Sequence, residues 1–129
     1  MRRLDMELII GSAYQGRRDF AKAAFSLTES DIFTCTGEEM DFSAPCIDKI
    51  EEFSLACVKA GKDPVEIFRK NNDLWQDSVL ICQDIFCGVV PIDDTLRQWR
   101  QETGRLCQYL TREASQVSRI FCGLEQRLK

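Results

Sequence analysis

A chain of 129 residues with 17 basic and 21 acidic side chains carries a net charge of −4 and is long enough for one domain with a real core. Its 44% apolar and 29% charged residues are those of an ordinary soluble protein; no apolar run approaches the ~20 residues of a bilayer span, and no clustered basic excess marks a broad nucleic-acid surface. Histidine is absent altogether, which excludes every mechanism with an imidazole base, nucleophile or metal ligand.

In chain order, Asp5 and Glu7 interrupt the apolar residues after the basic N-terminus, which argues against a signal peptide and for a cytoplasmic protein. Leu8, Ile9 and Ile10 then run into Gly11, the pattern of a buried parallel strand. Phe20, Ala21, Ala24 and Leu27 predict a helix from Arg17 to about Leu27, and Asp31 to Cys35 a second strand. Cys46, Ile50, Phe53, Cys57 and Ala60 recur at steps of four and three, so they predict one helical stripe closed by Gly61, with Cys46 and Cys57 on a common face.

Asp63 as cap, Pro64 at the first helical position and Glu66 three after the cap start another helix. Ser78 to Cys82 is an apolar strand ending at Gln83 and Asp84. A long helix begins near Asp93 or Asp94 with Leu96, Trp99, Thr103, Leu106, Leu110 and Ala114 as its buried stripe, and Val117 to Cys122 is a fourth strand. This alternation predicts a single domain over 1–129, a three-layer α/β fold of P-loop type with a mainly parallel sheet of at least four strands. In such sheets ligands bind beyond the carboxyl ends of the strands, where Gly11, the Thr36–Gly37 turn and Asp84 fall. The seven cysteines are odd in number and show no C-x-x-C, so they read as reduced thiols packed as small hydrophobes. The nearest candidate pair for redox work, Cys82 and Cys87, faces across a loop and gives that role little support.

The segment Gly11-Ser12-Ala13-Tyr14-Gln15-Gly16-Arg17-Arg18 has the glycine spacing of the phosphate loop G-x-x-x-x-G-K-[ST]. Backbone N–H groups of such a turn, placed before a helix N-terminus, cradle a phosphate. Arg17 stands at the lysine position and can still engage phosphate bidentately. Arg18 stands where a hydroxyl would coordinate magnesium, and cannot do so. Two cations in a first helical turn oppose the helix dipole unless an anion or solvent compensates, so both arginines read either as anion ligands or as solvated side chains. Asp84, following an apolar strand, reads either as a magnesium-associated acid or as a turn-capping aspartate.

From Gln83 to Leu124 the sequence QDIFCGVVPIDDTLRQWRQETGRLCQYLTREASQVSRIFCGL resembles the cobinamide kinase/cobinamide-phosphate guanylyltransferase family of cobalamin biosynthesis. Gly88, Val90 and Pro91 fall on the family block N-E-x-G-x-G-I-V-P. Arg97, Trp99, Arg100, Gly104 and Gln108 fall without a gap on R-x-[FY]-R-[DE]-x-x-G-x-x-N-Q, and Gly123 falls on the final S-G. Gly11, Ala13, Gly16 and Ala21 align with the family's G-G-A-R-S-G-K-S loop, and Cys35, Thr36 and Gly37 with its nucleotide-contacting A-T-S turn, where only the threonine is kept.

The resemblance implies ATP or GTP bound by residues 11–18 and 35–37, a cobinamide-type corrinoid as acceptor, and a homo-oligomer, a trimer. It gives Arg17 and Asp84 the catalytic roles and Asp84 any metal. The departures are chemical: the lysine and the hydroxyl are both arginine, so magnesium matters less, and the histidine that the family guanylylates has no counterpart. Guanylyl transfer is therefore not expected. Two functions fit: a cobinamide-kinase-like nucleotide-binding protein with weakened phosphoryl transfer, or a catalytically inactive paralogue acting in binding or assembly.

Overall fold

A computed structural model describes residues 6–11, 16–85 and 93–129. It is an α/β structure with a six-stranded mixed sheet, ordered β2-β3-β4-β1-β5-β6. The strands are β1 (Glu7–Gly11), β2 (Ile32–Thr34), β3 (Cys46–Asp48), β4 (Val79–Gln83), β5 (Gln116–Phe121) and β6 (Leu124–Arg127). The first five pair in parallel, and β6 returns antiparallel to β5. The helices are α1 (Arg17–Phe25), α2 (Ile50–Ala60), α3 (Pro64–Lys70), α4 (Asn72–Trp75) and α5 (Asp94–Glu113). Among the described residues no helix is long and apolar enough to cross a membrane.

Alternate residues of the central strands divide the core. Leu8, Leu80, Cys82 and Val117 pack with Phe53, Phe68, Trp75, Leu106 and Leu110 of α2, α3, α4 and α5. Ile9, Val79, Ile81 and Ile120 pack with Ala21, Phe20 and Phe25 of α1. Side chains alternate across a strand, so α1 covers one face of the sheet and the other helices cover the opposite one. This explains the unbroken apolar runs, since strands covered on both faces have no polar side.

The structure corrects three sequence expectations. Cys46 does not share a helical stripe with Cys57: it lies on β3, paired to Ile32 and Val79, and packs on the α1 face while Cys57 packs on the other. Lys49, at φ 58, turns the chain before α2 starts at Ile50. Leu96 is exposed at 39%, so the buried stripe of α5 begins only at the half-buried Trp99. The last strand also continues into a hairpin. Cys122 and Gly123 have φ of 50 and 77, the two positive values that a type I′ turn requires.

Asp63 caps α3 as expected, its carboxylate accepting the Val65 N–H at 3.0 Å with Pro64 behind it. Glu66 instead pairs with Arg69. Cys35, Cys46, Cys57 and Cys82 are free and buried, and burial pushes the thiols of Cys35 and Cys46 up to about 12. The fold brings the Cys107 and Cys82 sulfurs to 3.7 Å, while Cys87 lies outside the described residues.

Candidate functional site

The carboxyl ends of the parallel strands bring together the groups around which a site can be built. Gly11 ends β1 in register with Gln83, and its carbonyl accepts the Asp84 N–H at 2.7 Å. Gly11 and Asp84 are therefore neighbours, on adjacent strands at the middle of the sheet. A Cβ added at Gly11 would lie 2.6 Å from the Ile120 carbonyl oxygen and against the Arg17 stem, so any side chain there forces β5 or the arginine away. Gly16 enters α1 at φ 84, in the left-handed region that glycine supplies without strain. Ser12, Ala13, Tyr14 and Gln15 lie outside the described residues.

The two arginines after Gly16 have opposite surroundings. Arg17 lays its aliphatic stem beside Gly11, and its Nη1 is buried with no hydrogen-bond partner among the described residues. Its charge reaches Glu51 and Cys82. Glu51 is buried, and its Oε1 accepts the Gln83 N–H at 2.8 Å, closing off the end of β4. Burial pushes the Glu51 carboxyl up, opposed by that N–H and by the Arg17 charge. Trp99 of α5 fixes the same turn by donating its indole N–H to the Glu51 carbonyl at 2.8 Å.

Arg18 is fully engaged. Its Nη1 donates to Thr34 Oγ1 at 3.0 Å and to Asp48 Oδ2 at 2.8 Å, and its Nη2 pairs with Glu29, which also takes Lys22. Asp48 has a side chain only 8% exposed, and its Oδ1 accepts the Lys49 N–H at 2.7 Å. Arg18 thus ties the first turn of α1 to the ends of β2 and β3, a structural role where sequence reasoning placed a phosphate contact.

Sequence reasoning missed Asp48, Glu51 and Glu29. The available signal was "CID", two fully buried residues followed by an acid, which is a short parallel strand with a polar end. It was hidden because Cys46 also fits the helical spacing of Ile50, Phe53 and Cys57. Cys35, Thr36 and Gly37 lie at the same end of the sheet, after β2, with Cys35 buried, Thr36 exposed and the Cys35 N–H bonded to the Asp48 carbonyl at 3.0 Å. In the strand order β2 is three places from β1, about 14 Å at ordinary strand spacing.

Magnesium requires near-octahedral oxygen donors. The acid that faces the first turn of α1, Asp48, has both oxygens committed, one to a guanidinium and one to a backbone N–H, and the hydroxyl position is Arg18 itself. These residues do not fit a divalent ion. Among the described residues no group of three or more His, Cys, Asp or Glu is placed to hold a metal. An open cavity of about 700 Å³ lies at the far ends of the strands, lined in part by Phe25, Leu27, Pro45 and Val79. It has no cation among its lining residues and takes no part in this site.

Compared with known proteins, the chain matches no family model and no curated protein.

Proposed function

We propose that the chain is a nucleotide-binding protein of cobinamide-kinase type whose phosphoryl transfer is weakened, with ATP or GTP held by its phosphates at the turn between β1 and α1. The observation that carries this reading is Arg17: its stem lies beside Gly11 and its Nη1 is buried with no hydrogen-bond partner among the described residues. An unmade bond on a buried cation is costly, and a phosphate oxygen at the strand end would make it. The parallel sheet, with Gly11 at the carboxyl end of an interior strand and α1 following, supports the same location.

In this reading the two-sided helix cover is a three-layer P-loop-type fold, acting as one unit over 1–129. Arg17 grips the phosphates, and Asp84, whose backbone N–H is bonded to the Gly11 carbonyl at 2.7 Å, is the acid that follows β4 beside that loop. The resemblance of the C-terminal block supplies the rest: a corrinoid acceptor, a trimer and a cytoplasmic setting. Transfer is weakened because the position of the loop hydroxyl is Arg18, which cannot hold a metal that would stabilise charge on the moving phosphoryl group.

The Arg18–Asp48 pair favours a second reading, the inactive paralogue acting in binding or assembly, since it closes the position that metal-assisted transfer needs. Calorimetric titration with ATP and GTP tests the first. Wild-type protein is expected to bind at least one of them, and Arg17→Ala to weaken binding about tenfold or more, the size of one lost charge-assisted hydrogen bond. Failure of the wild type to bind either nucleotide removes the reading and leaves the assembly role. Transfer of labelled phosphate to a corrinoid acceptor, or its absence, then separates a weak kinase from an inactive binder.

A further inference from the structure

We infer that the Arg18 guanidinium, at the position where phosphate-loop proteins carry a metal-binding hydroxyl, is a built-in cation that permanently neutralises Asp48 and closes it to divalent metals. This deepens the nucleotide-binding reading and rests on it for the position of the phosphates; the ion pair itself stands on geometry alone. In P-loop nucleoside triphosphatases the metal sits between the hydroxyl that follows the loop lysine and a strand-end aspartate. Here the hydroxyl position is Arg18, immediately after Arg17, and the strand-end acid that its guanidinium meets is Asp48, the last residue of β3, two strands from β1. They are bonded directly at 2.8 Å.

The fit is that of a built pair. One edge of the guanidinium serves Thr34 and Asp48, and the other serves Glu29, so three oxygens on three segments converge on one cation. Arg18 cannot swing out without leaving Asp48, whose side chain is 8% exposed, as a buried unpaired carboxylate. A divalent ion could reach Asp48 only by displacing the arginine. It would also have to take the place of the Lys49 N–H on the second oxygen if it bound both. The consequence is that the Arg18 charge is spent on Asp48 and Glu29, and an exchangeable metal has no place on Asp48. Nucleotide affinity should be indifferent to magnesium, and the acid should be silent toward metals.

The test uses Mn²⁺ as the probe, without nucleotide, followed by thermal melting and electron paramagnetic resonance. Wild-type protein is expected to show no Mn²⁺ bound at Asp48 and no shift of its melting temperature with Mn²⁺. Arg18→Ser is expected to melt lower than wild type, to bind Mn²⁺, and to recover much of its melting temperature when Mn²⁺ is added. In the double variant Arg18→Ser with Asp48→Asn, that Mn²⁺ response should disappear. Mn²⁺ binding by the wild type that is lost in Asp48→Asn would overturn the inference, as would a folded Arg18→Ser protein indifferent to Mn²⁺. Should Arg18→Ser fail to fold, the comparison of wild type with Asp48→Asn still decides, because equal silence toward Mn²⁺ is required of both. Titrating ATP and GTP into the same proteins keeps the two ideas apart: loss of nucleotide binding sinks the functional reading and leaves the Mn²⁺ outcome to judge Arg18.

Discussion

On the face of the sheet that carries α2, α3, α4 and α5, aromatic rings meet edge to face in a continuous run. Phe42 meets Phe68 at 5.0 Å, Phe53 meets Phe68 at 5.7 Å, Phe68 meets Trp75 at 5.7 Å, and Trp75 meets Tyr109 at 6.1 Å. On the α1 face the apolar cluster is smaller, and next to it the helix is fastened to β2 and β3 through Arg18, Asp48 and Thr34. The aromatic face gains from every ring buried. The α1 face relies on directional polar contacts, and these hold the first turn, which carries Arg17, in place. One side of this sheet supplies bulk stability and the other positions charge.

Breaking the aromatic face should have the largest effect. Trp75→Ala removes a side chain 1% exposed and the indole bond to the Phe68 carbonyl at 2.8 Å. A loss of about 3–5 kcal/mol is expected in denaturant unfolding. If the loss is under about 1 kcal/mol, the aromatic run is not the main source of stability.

Gly11→Ala probes the other side. Its new methyl meets backbone at 2.6 Å, which flexible side chains cannot relieve, so a loss of about 1–3 kcal/mol is expected, together with weaker nucleotide binding. An alanine variant with wild-type stability and affinity would show that the β1–β5 approach is not as tight as described. Asp63→Ala should cost about 1 kcal/mol in the same unfolding assay, by removing the cap of α3 on the aromatic side.

The smallest effect sharpens the boundary between the two faces. The folded Glu51 carboxyl titrates above its ordinary value of 4.5, so between that value and its raised one the folded state binds more protons than the unfolded. Stability contributed at Glu51 therefore falls as pH rises from 4.5 through the raised value. Glu51→Gln keeps an oxygen for the Gln83 N–H and removes the titration, so melting curves of wild type and variant should differ with pH over that window. Parallel curves would mean that Arg17 and the Gln83 N–H fully offset the burial.

Much of this was legible in the residues. β1 and β4 announce themselves as apolar runs because both their faces are buried, and this put Gly11 and Asp84 at strand ends. β3 was not legible, since two buried residues and an acid carry too little pattern to outweigh a helical stripe that begins at Ile50. β6 carries no pattern at all: its residues are exposed throughout, and only the Cys-Gly turn before it hints at a hairpin. The Arg18–Asp48 pair joins positions 30 apart through a strand that was itself unread, so spacing could not reveal it. The burial of the Arg17 Nη1 without a hydrogen-bond partner among the described residues arises only in the folded chain and has no sequence pattern.

The placement of β1 has a consequence for how the chain acquires its structure. This strand is complete by residue 11, yet its partners are residues 79–83 and 116–119. A nascent chain that has reached Ala60 holds β1, β2 and β3 but lacks β4, the strand that joins β3 to β1. The central pairings must therefore close long loops before they return any energy, which places the fold among those of high contact order. Refolding from denaturant should be slow beside a helical bundle of equal length, and its rate should respond to substitutions in β4 and β5 more than to those in α1.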